Sequence, residues 1–177
     1  MTAFTIRRLD AAAARAACDA LADIHRACVA DGASVSLMAD TPREEALAFW
    51  QGVAESVAAG GTILLVAEDG DGRARGTVQV SFADKPNQPH RGDLAKMLVH
   101  PDAQGRGLGA ALLAAAEREA LAAGRWLLVL DTTPGTPAER LYTRGGWEPV
   151  GVIPDFALWP QGGLGATKLF YKDLRGR

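Results

Sequence analysis

Apolar positions recur along the chain with two different periods, and the switches between them mark its elements. Phe4, Ile6 and Leu9 predict a strand over Phe4 to Leu9, ended by Asp10, which can cap a following helix. From about Ala11 to Val29, the residues Ala14, Cys18, Leu21, Ile24 and Cys28 fall three and four apart, one buried helical stripe stopped at Asp31-Gly32. A loop over Ala33 to Met38 leads to Thr41-Pro42, where a threonine cap, a proline at the first helical position and Glu44/Glu45 announce a second helix with Leu47, Trp50, Val53, Ala54 and Val57 inside. Thr62 to Glu68 is β-rich and Asp69-Gly70-Asp71-Gly72 is a hairpin signal. Gly76 to Phe82 then alternates, Asp84 to Gly92 is a loop, and Asp93 to Val99 is a fourth strand, so strands two to four form an antiparallel meander.

Beyond Gly107 a helix with Leu108, Leu112, Ala116 and Leu121 on one face runs to Gly124, a glycine C-cap. Trp126 to Leu130 is continuously apolar, as in a strand buried on both faces, and its connection from strand four makes a right-handed parallel crossover. Pro137 to Arg144 forms a further helix ended by Gly145-Gly146. Trp147 to Ile153 and Thr167 to Tyr171 close the sheet as a hairpin around a long loop, Pro154 to Gly165. The expected fold is α/β (α+β), with a mixed, mostly antiparallel sheet of about seven strands flanked by helices.

Composition narrows the class. With 177 residues, 48% of them apolar and 23% charged, the chain suits a single domain over 1–177 with one core. A net charge of -2 and scattered basic residues argue against nucleic acid as a partner. Cys18 and Cys28 lie ten residues apart on one helix, about 15 Å along its axis, too far for a disulfide. They read as small buried residues of a reducing compartment. His25, His90 and His100 lack partners at ligand spacing, so no metal is expected. The amino terminus lacks a leader pattern and no apolar run spans a bilayer, which makes a cytoplasmic protein without membrane contact the expectation, as monomer or homodimer.

The chemistry concentrates in the passage from strand four into the helix after Gly107. Gly105, Gly107 and Gly109 let backbone approach a ligand closely, the first helical turn offers unpaired N–H groups and a positive dipole end, and Arg106 adds a charge, together an anion cradle. The nucleotide P-loop is excluded because no Gly-Lys-Ser or Gly-Lys-Thr occurs. Gly105, Gly107 and Ala110 formally meet the dinucleotide fingerprint, with Asp131 as ribose ligand. Yet five residues including Pro101 separate strand from glycines, and too little chain follows for more parallel units. A glycine-rich cap that binds nothing is the bland alternative.

Gln104-x-x-Gly107-x-Gly109, after a strand ending Val99-His100-Pro101, resembles the acyl-CoA signature of the GNAT superfamily of N-acetyltransferases. Ala138, Tyr142, Gly146 and Trp147 resemble that family's second motif, with Gly135 standing where an asparagine is common. Asp93-Leu94-x-Lys96-Met97-Leu98-Val99, Leu130-Asp131-Thr132 and the tail from Thr167 are similar to tabtoxin-resistance-type acetyltransferases. The resemblance implies a three-layer fold, acetyl-CoA as cosubstrate, and a grip made by Met97, Leu98, Val99, Gln104, Gly105, Arg106, Gly107, Leu108, Gly109 and Ala110. It also implies that strands four and five part there, and it makes Tyr142 the acid for the leaving thiolate, against the alternative of a core tyrosine.

A free amine has a pKa of about 10, so a base must take its proton, and Asp131 and Asp93 are the available carboxylates. Structural roles, a loop partner for Asp131 and a solvated hairpin residue for Asp93, compete with that reading. Phe156, Trp159 and Pro160 are expected to form an apolar lid over the acceptor, with Met38 and Phe49 opposite, although packing against the preceding loop also accounts for Phe49. The expected activity is acetyl-CoA-dependent acetylation of a small-molecule amine by direct attack in a ternary complex. Acetylation of a protein or peptide, and a non-catalytic acyl-CoA-binding module, are the alternatives.

Overall fold

Seven strands and four α-helices follow one another in the computed structural model, which describes residues 4–176; the first residues of the segment read above as leaderless lie outside it. β1 (Thr5–Arg8), β2 (Thr62–Glu68), β3 (Ala74–Phe82) and β4 (Arg91–Val99) pair antiparallel in turn, β5 (Leu127–Thr132) joins β4 in parallel, and β7 (Leu164–Asp173) lies between β5 and β6 (Glu148–Leu158).

Alternation in the central strands sends side chains to two cores. Ile63, Leu65, Val78, Val80, Leu94, Leu128 and Phe170 meet α3 (Leu108–Ala122) and α4 (Pro137–Arg144) on one face. Leu64, Val66 and Leu98 meet α1 (Ala11–Ala30) and α2 (Arg43–Ala58) on the other. The α1 stripe is buried as read, and Asp10 caps it by accepting from the Ala13 N–H at 2.8 Å. Cys18 and Cys28 are buried free thiols, and burial pushes the Cys28 thiol up to about 11. Among the described residues no helix is long and apolar enough to cross a membrane, and no group of three His, Cys, Asp or Glu side chains could hold a metal.

Three local expectations give way. Leu121 is 46% exposed and Ala120 is buried in its stead, because the buried stripe of α3 runs from Leu112 and Leu113 through Ala116 to Ala120. Pro42 itself is the boundary residue of α2, and the Thr41 hydroxyl accepts from the Met38 N–H instead of capping the helix. The long loop read over Pro154 to Gly165 is mostly sheet: β6 continues to Leu158 and β7 starts at Leu164. An edge strand tolerates Pro154, and a register break between Ile153 and Ala157 absorbs the extra residues, with Asp155 at φ 52°.

Candidate active site

β4 and β5 pair over three rungs, Arg91 with Leu127, Gly92 with Leu128 and Asp93 with Val129. β4 then runs on to Val99 without β5, whose other edge pairs with β7 throughout. The divergence begins beside a β4 bulge: Thr77 faces Leu98 and Gln79 faces Ala95, so one extra residue is taken up at Lys96 and Met97, and Lys96 adopts φ 49°. The His100 N–H donates to Arg75 on β3, so the alternation of an antiparallel ladder turns the main chain of Val99 outward. The Val99 carbonyl is met there by Gln104 Nε2 at 3.3 Å and the Cys28 thiol at 3.4 Å. The same alternation directs the Leu98 amide to β3, and its side chain is 2% exposed in the α1–α2 core. The polar main chain available to a ligand near Leu98 is therefore that of its neighbours.

Past Val99 a 3-10 turn, Pro101–Ala103, is fastened by the Asp102 N–H donating to His100 Nδ1. Gly105 and Gly107 follow at φ 72° and 78°, in the left-handed region that penalises a side chain. Gly107 stands at the start of α3, whose first intrahelical bond is from the Ala111 N–H to the Gly107 carbonyl. The N–H groups of Leu108, Gly109 and Ala110 precede it and have no place in that ladder. Gln104 to Gly107 are exposed, whereas the Leu108 side chain is a buried anchor. Gln104 also reaches Asp31 at 3.4 Å, pinning the cradle to the end of α1. A Cβ on Gly109 would lie 3.4 Å from Leu141, so this glycine lets α3 and α4 approach beside the gap. These unpaired amides, the left-handed glycines and exposed Arg106 fit a pyrophosphate.

α4 carries Tyr142, on the sheet face that it shares with α3. Thr136 caps the helix by accepting from the Glu139 N–H, and Glu139 reaches back to the Gly135 N–H at 2.6 Å and across to Lys168 on β7 at 2.7 Å. Gly135, where the related motif commonly has asparagine, offers no side chain, and its main-chain N–H is taken by Glu139. Tyr142 is 4% exposed, with Trp147 and Phe170 rings 5.8 and 6.3 Å away. Burial, and then the negative field of Asp131, raise its phenol well above the ordinary tyrosine range, so it keeps its proton at any physiological pH. Asp131 is exposed at the end of β5, with Thr167 Oγ1 2.7 Å from its Oδ2. Asp93 sits on the last rung before the gap but is held by Arg91 at 2.6 Å.

A second cluster of side chains lies on the sheet face covered by α1 and α2. Phe49 stands edge-on to His25 and Trp50, and the Lys96 ammonium is 5.2 Å from its ring centre and 2.8 Å from Ser36 Oγ. Burial lowers the Lys96 pKa, and the Asp131 field opposes that shift. His25 is fully buried, with Nε2 2.7 Å from the Val35 carbonyl, and burial lowers its pKa to about 4.

The tip of the β6–β7 hairpin meets the α1–α2 loop: the Ala39 N–H donates to the Pro160 carbonyl at 2.9 Å and Ser34 Oγ to the Leu158 carbonyl at 3.2 Å. Trp159 folds back over its own hairpin, and a Cβ on Gly165 would meet its indole at 2.9 Å. Met38 lines a small hollow with Arg26, Val29 and Ala30 of α1, and Phe156 is 51% exposed on β6. Of the residues expected to line the acceptor, Phe49 stands beside Lys96, Met38 lines the hollow against α1, Phe156 is exposed on β6 and Trp159 packs on its own hairpin. Lys96 and Ser36 were not singled out for a role. Their one sequence signal is the broken alternation in Lys96-Met97-Leu98-Val99, three apolar residues in a row, which marks a bulge.

The profile of the "Acetyltransferase (GNAT) domain" family matches residues 60–149. A GNAT superfamily phosphinothricin acetyltransferase from Sinorhizobium meliloti, solved in complex with AcCoA, is similar in fold, with TM-score 0.77 and 22% identity over 97% of this chain and 88% of that one. A ribosomal-protein-alanine N-acetyltransferase from Brucella melitensis gives TM-score 0.76 and 22% identity over 96% and 99%. An N-acetyltransferase from Staphylococcus aureus Mu50 gives TM-score 0.79 and 17% identity over 98% and 99%. At these identities the likeness is one of fold, shared by proteins named for a small molecule and for a ribosomal protein.

Proposed function

The chain belongs to the GNAT family as an acetyl-CoA-dependent acetyltransferase, and on that premise we propose that its acceptor is a small-molecule amine, acetylated by direct attack with both substrates bound. The observation that carries the choice of acceptor is the tie between the β6–β7 tip and the α1–α2 loop, which closes one side of the Lys96–Phe49 face where a peptide would need an open groove.

Acetyl-CoA supplies the activated acyl group. In this reading the first-turn amides of α3, with Gln104, Gly105, Arg106 and Gly107, hold its pyrophosphate, and Met97 and Val99, on either side of the inward-turned Leu98, line its path along the bare edge of β4. An outward amide of that edge, already oriented, stabilises the charge that develops on the carbonyl oxygen. Asp131, oriented by Thr167, takes the amine proton directly or through a water. Asp93 is the weaker candidate for base, since Arg91 holds it. Tyr142 gives its proton to the departing thiolate, a role suited to a phenol that burial keeps protonated. Two free thiols fit work in the reducing cytoplasm.

The test is coenzyme A release with acetyl-CoA and a panel of small amines and peptides. Turnover of small amines is expected. Turnover of peptides alone, or tight acetyl-CoA binding with no release, would overturn the reading.

A further inference from the structure

We propose that Lys96 is an anion-recognising, specificity-determining residue of the acceptor site, so that the amine acetylated here also carries a carboxylate, phosphonate or comparable negative group. The proposal deepens the small-amine reading and rests on it.

Lys96 occupies an expensive position. A straight-chain residue at φ 49° sits in a backbone region that L side chains avoid, and such outliers persist where the surroundings over-determine them. Ser36, which accepts from its ammonium at 2.8 Å, is itself at φ 78°. Two strained residues from distant parts of the chain thus meet to hold one partly buried cation above the Phe49 ring. Among the described residues no carboxylate stands within ion-pair distance of that ammonium, and Asp131 acts on it only from farther away. A cation drawn out of water without a counter-ion is costly, and an anion that arrives with the ligand would offset the cost.

A second, independent observation points to a polar ligand at the same place. Gln79 is 9% exposed, and its Oε1 is buried with no hydrogen-bond partner. It pairs across the sheet with Leu64, a residue of the α1–α2 core, so both side chains take that face, and on its other side it pairs with Ala95, next to the bulge. An unused acceptor on β3 and an unneutralised donor on β4 therefore lie on the same face of neighbouring strands beside the bulge, as a ligand bearing both an anion and N–H groups would require. Nearby His25 adds no charge at neutral pH, since burial lowers its pKa to about 4.

The experiment compares kcat/KM for matched amines with saturating acetyl-CoA: amino acids and aminophosphonates against their esters, amides and decarboxylated counterparts. The wild type should favour the acidic member of each pair by about 30-fold, the scale of a hydrogen bond to a charged group. Lys96→Gln should collapse that ratio to within about threefold, chiefly through KM. Lys96→Arg should keep most of it, because the charge is retained. Acetyl-CoA titration of each variant checks that it is folded. Should Lys96→Gln fail that check, Ser36→Ala, which removes only the anchor, must lower the ratio. The proposal is overturned if the wild type accepts neutral amines as well as acidic ones, or if the ratio survives in Lys96→Gln. It is overturned too if Lys96→Arg is as impaired as Lys96→Gln toward every amine, the signature of a lysine acting as base. Neutral small-amine turnover overturns this inference alone, whereas peptide-only turnover overturns the small-amine reading with it.

Discussion

Two surfaces flank the parting of β4 and β5, and they are made of different material. From Gln104 to Gly107 the chain is exposed, and the groups it offers are main-chain amides set by two left-handed glycines. On the α1–α2 face the groups on offer are side chains, exposed Ser36, half-buried Lys96 and Phe49 and buried Gln79, brought from four separate stretches. A surface built from backbone tolerates changes of residue type so long as dihedrals are kept, and it suits a ligand that never varies. A surface built from side chains can be re-cut one residue at a time, and it suits the partner that distinguishes one relative from another.

Removing the proposed acid separates the two surfaces most sharply. Tyr142→Phe should lower kcat by about 100-fold, the usual worth of a general acid. Acetyl-CoA affinity by calorimetry should stay within about twofold, since the cradle does not use the phenol. Loss of affinity equal to the loss of rate would place Tyr142 in the grip instead.

Acid should weaken the packed side-chain region. His25 has its pKa lowered to about 4 in the folded protein, against about 6.5 unfolded. Between those values the unfolded chain binds more protons, so this contribution is complete above about pH 6.5 and is lost as pH falls toward 4. Denaturant titrations should show about 2 kcal/mol less stability from this group at pH 4.5 than at pH 7. A His25→Leu variant should lose that slope, and an unchanged slope would show that other groups set it.

The smallest effect is expected on the backbone side. Gly107→Ala puts a Cβ at φ 78° with nothing within 4 Å, so the damage is dihedral strain and not collision. Strain of about 1–2 kcal/mol predicts roughly a 10-fold rise in the acetyl-CoA dissociation constant. Chemistry on bound substrates should be little altered. A larger drop in kcat than in affinity would mean that the cradle does more than hold.

The same contrast explains what the residues disclosed before any coordinates. The cradle was legible because left-handed turns at a helix start demand glycine, so Gly105 and Gly107 announce their dihedrals by type. The meander and the crossover were legible because turn residues and apolar alternation are local signals. The cluster around Lys96 was not. No spacing in sequence reveals that Ser36 reaches Lys96, and the β4 bulge breaks the alternation that would assign Lys96 a side of the sheet. The β6–β7 hairpin was legible, but its distal part, Pro154 to Gly165, reads as loop because Pro154 and the glycines near Trp159 mimic one, while an unpaired edge lets proline stay in a strand.

Three rungs hold the centre of a seven-stranded sheet together. A cosubstrate lying along the remainder of β4, as proposed, would take the seat of a missing neighbour and become, for the length of each turnover, a piece of the protein's own architecture. Product departure would then reopen that seam, tying the pace of the cycle to how readily the two halves of the molecule let go of a shared strand.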